Sequence, residues 1–230
     1  MRTRLLAAAI VAGLLVGLPS GAPDVSAAGG AAGPTGLVAG SVTVLADGAP
    51  KADRSGIAVY LEGVPGALPP GPTRHVRQKD LNFLPGITVV TTGTTVEFPN
   101  EDKVFHNVFS VSSAARFDLG LYKSGTSKSV TLKKPGVVDV YCNIHPQMAA
   151  RIKVLDTAFY AVTGPDGAFR IKDVPPGSYP VVAWQAYGEE KRGQVTVTAG
   201  GVATIELALV EGKTPKRHLR KDGTPYGRYK

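Results

Sequence analysis

The chain has 230 residues, 43% of them hydrophobic and 19% charged, enough for one or two domains with real cores. Twenty-eight Gly and 18 Pro, with abundant Val and Thr and few long charged runs, argue against a helical protein and for an all-β one. A single cysteine excludes an internal disulfide, and the formal charge of +8 comes without any nucleic-acid-binding motif.

In chain order, Arg2 and Arg4 precede an apolar run from Leu5 to Leu18, and Val25-Ser26-Ala27 supplies small residues for cleavage. Residues 1–27 therefore read as a secretory signal peptide, with a mature start near Ala28. The apolar run is about 14 residues, short of the roughly 20 that span a bilayer. No cysteine lies near the cleavage region to take a lipid anchor, and no later stretch is long and apolar enough to cross a membrane. The expectation is a soluble periplasmic or extracellular protein with no transmembrane segment in its mature form.

Beyond a Gly/Pro-rich lead-in, Gly36–Leu45 and Ile57–Leu61 read as strands around Asp47-Gly48, the second with Ile57, Val59 and Leu61 facing inward. The stretch from Val64 to Pro72 reads as a linker. Ile87–Val90, Thr94–Phe98, Val104–Phe109, Ser129–Leu132, Val137–Tyr141 and Ile152–Leu155 are the next predicted strands, with Phe105 and Phe109 expected in the core. Ala168–Ile171, Tyr179–Trp184, Gln194–Thr198 and Ala203–Leu209 follow, separated by Pro/Asp/Gly turns. Short strands at this spacing predict β-sandwiches. Residues 211–230 hold seven cationic side chains against Glu211 and Asp222 and read as a basic, solvated, disordered tail. Such a tail suits an anionic surface or partner, and export makes nucleic acid an implausible one.

The chemistry concentrates in Tyr141-Cys142-Asn143-Ile144-His145-Pro146-Gln147-Met148, which holds the lone cysteine and, besides Met1, the only methionine. A lone cysteine by itself reads as a buried, inert one. With His145 three residues on, Met148 three further and His106 upstream, the reading turns to a metal site. One thiolate, two imidazoles and a thioether form the ligand set of a blue-copper centre. Zinc is the competing metal, although structural zinc prefers harder or more thiolate-rich sets without Met. His75 and His218 read as surface residues. Two uncommitted histidines are too few for the additional copper sites of a multicopper oxidase or copper nitrite reductase, and the lone thiol leaves no catalytic triad, so no enzyme is expected.

Two segments resemble known families. "FLPGITVVTTGTTVEFPNEDKVFHNVFS" and "KKPGVVDVYCNIHPQMAARIKVL" resemble the strand pair and last hairpin of a cupredoxin, with a Cys-to-Met spacing similar to amicyanin. The resemblance implies a Greek-key sandwich over 73–155 holding one type 1 copper ion on His106, Cys142, His145 and Met148. It further implies that Asn107 pins the ligand loop and that Pro146 follows the second His as in amicyanin. His145 then becomes the electron portal for transient docking with a redox partner. "GLVAGSVTVLADGAPKADRSGIAVYLEG", "TGPDGAFRIKDVPPGSYPVVAW" and "GQVTVTAGGVATIELAL" resemble a carboxypeptidase regulatory-like sandwich, here expected to be discontinuous over 36–72 and 156–210. Where such sandwiches carry His after the Ala-Trp pair, this chain has Gln185. The functional expectation is an exported carrier of single electrons. The alternatives are a copper-binding or delivery protein and a scaffold in which copper is structural.

Overall fold

The computed structural model describes residues 33–214 and 218–226. The expected signal peptide, residues 1–27, lies outside the described residues, as do 215–217 and 227–230 of the tail. The described residues form strands and no helix, so none offers a helix long and apolar enough to cross a membrane.

Three strands come first: β1 (Gly36–Ala46), β2 (Ala49–Pro50) and β3 (Ala58–Leu61). The middle of the chain supplies β4 (Arg74–His75), β5 (Arg77–Lys79), β6 (Asn82–Leu84), β7 (Ile87–Thr91) and β8 (Thr95–Pro99). It continues with β9 (His106–Val111), β10 (Arg116–Tyr122), β11 (Ser127–Thr131), β12 (Gly136–Tyr141) and β13 (Ala149–Leu155). The chain closes on β14 (Tyr160–Val162), β15 (Ala168–Val174), β16 (Gly177–Trp184), β17 (Lys191–Val197) and β18 (Val202–Val210).

The outer segments pair with each other across the middle of the chain. β1 lies between β15, antiparallel, and β18, parallel, while β3 lies between β14 and β16, with β17 beyond. Strands β4 to β13 pair only among themselves: one sheet in the order β10-β9-β12-β13-β7, one in the order β11-β8-β4, and the hairpin β5-β6. Alternation sends Val38, Val42 and Val44 of β1 against Val59, Leu61, Phe169, Val181 and Leu207 in one core. A second core gathers Val90, Val96, Phe98, Val108, Val138, Val140, Ile152 and Val154, and both Cys142 and Met148 belong to it.

Alternation does not explain all of β3 and β16, because consecutive residues of both are buried. Ala58, Tyr60, Val182 and Trp184 turn away from the first core and pack on Leu155 of β13, with Val89 and Val137 beside it. The continuous apolar runs "AVYL" and "VVAW" are what a strand covered on both faces requires. Lys153 crosses this seam, its side chain only 9% exposed, with Nζ 2.7 Å from Glu190 Oε1 and over the rings of Tyr60 and Trp184. Arg151 beside it donates to Asp139 Oδ1 at 2.6 Å and lies 4.5 Å over the Tyr187 ring.

Two expectations change here. Val104 and Phe105 precede β9 rather than opening it, and Phe105 is 54% exposed instead of sitting in the core, whereas Phe109 is buried. The segment 116–122, not expected as a strand, is β10, whose register with β9 shifts between Asp118 and Leu121 around Gly120 at a φ of +68°. That bulge breaks the alternation by which a strand is recognised.

β1 has no room for a side chain at Gly40, where an added Cβ would collide with the Ile205 carbonyl and come within 2.9 Å of the Phe169 ring. Gly40→Ala is expected to cost about 1–3 kcal/mol through overpacking. The measurement is the denaturant midpoint, which should fall with an unchanged slope.

Candidate metal centre

β12 and β13 form an antiparallel hairpin in which Tyr141 pairs with Ala149, so residues 142–148 are its loop. The Cys142 N–H donates to the Met148 carbonyl at 3.2 Å, which closes the neck and sets Cys142 and Met148 side by side. The Met148 N–H donates to the His145 carbonyl at 3.1 Å and turns the loop back on itself. β9 pairs with β12 at Phe109 and Tyr141, and continuing that register past Tyr141 brings the start of β9, with His106 and Asn107, alongside the loop. The Asn143 N–H accordingly donates to Asn107 Oδ1 at 3.3 Å.

His106, Cys142 and His145 converge, their ligand atoms all within 4.8 Å of one another. His106 Nδ1 lies 3.1 Å from His145 Nδ1, and Cys142 Sγ lies 4.0 Å and 3.6 Å from those two nitrogens. Nitrogen and sulfur donors bound at about 2.0–2.3 Å around one ion are separated by roughly 3–4 Å, so the spacing fits a shared metal. Cys142, Met148 and His106 are fully buried, and His145 is half-buried. His75 stands exposed on β4, its Nδ1 3.3 Å from Glu97 Oε2, and takes no part.

The far side of His106 is held as well. Its Nε2 lies 2.7 Å from Asp102 Oδ2, and Asp102 also accepts from the backbone N–H groups of Asp80 at 2.6 Å and Leu81 at 3.0 Å. Asp80 and Leu81 form the tip of the β5–β6 hairpin, both at positive φ, which aims their amides at this carboxylate. A carboxylate on Nε2 keeps the proton there and leaves the Nδ1 lone pair for a metal. Burial would push the Cys142 thiol up, but the hydrogen bond with His106 and the amides of Asn107, Ile144 and His145 hold it below its usual range. Burial likewise opposes charge on His106, yet the Cys142 sulfur and the Asp102 carboxylate raise it. His145 is lowered, by burial first and then by the charge of His106. The Asp102 carboxyl, pushed up by burial, is held low on balance by His106 and the two hairpin amides.

Part of the described tail, although mostly exposed, makes contacts that its composition does not suggest. Residues 218–226 lie on the ligand hairpin, and His218, expected on the surface, is half-buried with its ring stacked on Tyr141 at 4.3 Å and 17°. Burial lowers its pKa. Asp102, Asp118, Lys221 and Tyr226 are the contributors that sequence reasoning passed over. Of these only Asp102, an acid four residues before a metal-type His, carries a local signal. Gln185 is buried, its amide donating to the Val210 carbonyl, and it lies in the other sandwich.

Among protein families, the carboxypeptidase regulatory-like domain matches residues 136–210. The match begins at β12, inside the hairpin that pairs with β9 and β7, and does not reach β1 and β3, which share the sheets of β14 to β18. No protein of curated function matches the chain. Among solved structures, a reduced variant of amicyanin is 24% identical, covering 36% of this chain and 82% of its own, at a TM-score of 0.34. An oxidised amicyanin variant is 23% identical with the same coverage and TM-score. A Cu-containing nitrite reductase from Thermus scotoductus SA-01 is 30% identical over 40% of this chain, at a TM-score of 0.36, and the chain spans 24% of its length. The all-β fold class expected from the sequence is the one found.

Asp102→Asn removes the charge that orients His106. It is expected to weaken metal binding roughly 10–100-fold, as loss of such partners does elsewhere, measured by competition with a chelator of known affinity.

Proposed function

We propose that this chain is an exported type 1 copper protein that carries single electrons and catalyses no reaction of its own. The observation that carries the reading is the convergence of His106 Nδ1, His145 Nδ1 and Cys142 Sγ at 3.1–4.0 Å in a largely buried pocket. Met148, buried and fixed beside Cys142 at the hairpin neck, would supply the thioether donor. Copper bound there would take up and release one electron by alternating between Cu(I) and Cu(II).

The chain's own residues would do the rest. Cys142 offers a thiolate already favoured by its surroundings. His106 is oriented by Asp102, and Asn107 ties the loop to β9. Because these donors are held by two paired strands and a closed hairpin, the ligand frame need not move when the charge changes. His145, half-buried, is the ligand closest to solvent and the route for the electron. Phe105 at 54% and Leu121 at 55% exposure give this end of the sandwich an apolar surface suited to small, transient contacts. Arg2, Arg4 and the Leu5–Leu18 run support export.

The test is purification with added Cu(II), read by visible and EPR spectra. An intense blue or green colour that bleaches with mild reductant is expected, and Cys142→Ser should abolish it while circular dichroism stays that of a β protein. A colourless chain that binds only Cu(I) would instead favour copper delivery.

We further propose that the copper-site sandwich, 73–155, is inserted into a carboxypeptidase regulatory-like sandwich made of 36–72 and 156–210. The Leu61 N–H donates to the Phe159 carbonyl at 3.0 Å, so the chain leaves and re-enters the outer sandwich at neighbouring points. Deleting 73–155 with a short bridge should leave a folded β domain, less stable because Tyr60, Val182 and Trp184 lose their cover; an unfolded product would overturn the proposal.

A further inference from the structure

The ligand loop is held from outside by a part of the chain far away in sequence. The Tyr226 hydroxyl donates to the Cys142 carbonyl at 2.6 Å, and the Lys221 N–H donates to Asn143 Oδ1 at 2.9 Å. Lys221 Nζ also reaches Asp118 Oδ2 at 2.6 Å, and the other oxygen of Asp118 accepts from Asn107 Nδ2 at 2.7 Å. With the Asn143 N–H on Asn107 Oδ1, these bonds close a circuit through Asn143, Asn107, Asp118 and Lys221. The circuit joins β9, β10, the ligand loop and the tail. The tail segment is itself shaped for this, by a turn in which the Gly223 N–H donates to the Arg220 carbonyl and the Arg220 N–H to the Thr224 carbonyl, both at 2.9 Å. His218 adds the stack on Tyr141 and meets the Tyr226 ring edge-on at 5.2 Å.

We infer that segment 218–226 positions the copper ligand loop, with Lys221 and Tyr226 as its positioning residues. This rests on the copper reading above. Tyr226 fixes the peptide unit that leaves Cys142, and Lys221 fixes the residue after it, so the backbone that carries Sγ is held from the loop's outer side. Outer hydrogen bonds of this kind hold ligand geometry, and the surrounding shell sets solvent access and potential. Lys221 also neutralises Asp118, whose unpaired negative charge near the loop would favour the more positive Cu(II) state.

The experiment compares the full chain with Tyr226→Phe, Lys221→Ala and a truncation after residue 217. In the copper-free proteins, hydrogen exchange by mass spectrometry is expected to be about tenfold faster across 142–148 in the truncated chain, with smaller rises in the point variants. Residues 136–140 serve as the reference and should not change. In the copper-loaded proteins, release to a chelator should accelerate roughly 10–100-fold on truncation, the sulfur-to-copper absorption band should shift, and the midpoint potential should fall. Lys221→Arg, which keeps the charge at Asp118, should behave as the full chain does. Unchanged exchange in the loop, or unchanged release and potential, would overturn the assignment. A full chain that takes up no copper, together with a truncation that still loosens the loop, would sink the copper reading and leave the positioning of the loop standing.

Discussion

The pairing of Tyr141 with Ala149 is the constraint on which the rest of the centre depends. A hairpin closed at that pair forces the next residue outward on each side, Cys142 and Met148, to share the neck, and it leaves a loop short enough to bring His145 back over them. A register slip of one residue would send Cys142 to the opposite face, because side chains alternate along a strand. The register is secured by apolar matching. Val138 and Val140 of β12 and Ala150, Ile152 and Val154 of β13 all face one core, and only this alignment buries them together.

Gathering a thiol and two imidazoles in a largely buried pocket is costly, since desolvation works against any charge there. The protein answers with successive rings of fixed dipoles. Backbone amides and His106 face the sulfur, Asp102 faces His106, and the β5–β6 tip faces Asp102. Each layer is supplied by a different element, so the pocket exists only when the sandwich is assembled. The left-handed backbone at Asp80 and Leu81 belongs to this arrangement: a non-glycine residue in that region is strained, and here its amide has a carboxylate to reward it.

The two sandwiches are bound by more than the chain that links them. β3 and β16 present one face to their own core and the other to β7, β12 and β13, so the outer surface of each sandwich is partly interior. Lys153 lies in this seam with its charge matched by Glu190 and its ammonium over the Tyr60 and Trp184 rings. It is an amphipathic side chain used as mortar, apolar along its length and paired at its end.

The all-β class, most of the strands and the cluster of Cys142, His145 and Met148 were legible in the sequence, because alternation, turn residues and ligand spacing are local patterns. That His106 joins them followed from residue type, while its 3.1 Å approach to His145 was set by the β9–β12 pairing. β10 was missed because its bulge breaks the alternation, and Phe105 was misplaced because an aromatic residue beside a strand reads as core until its neighbours are known. The contacts of segment 218–226 left no trace in the sequence: Lys221, His218 and Tyr226 meet Asp118, Tyr141 and the Cys142 carbonyl only once the sandwich has formed. By itself the sequence determined the all-β class, most of the strands and which residue types stood ready as metal ligands. Tertiary structure alone decided which partners orient those atoms, since hydrogen bonds between residues a hundred positions apart leave no periodic trace along the chain.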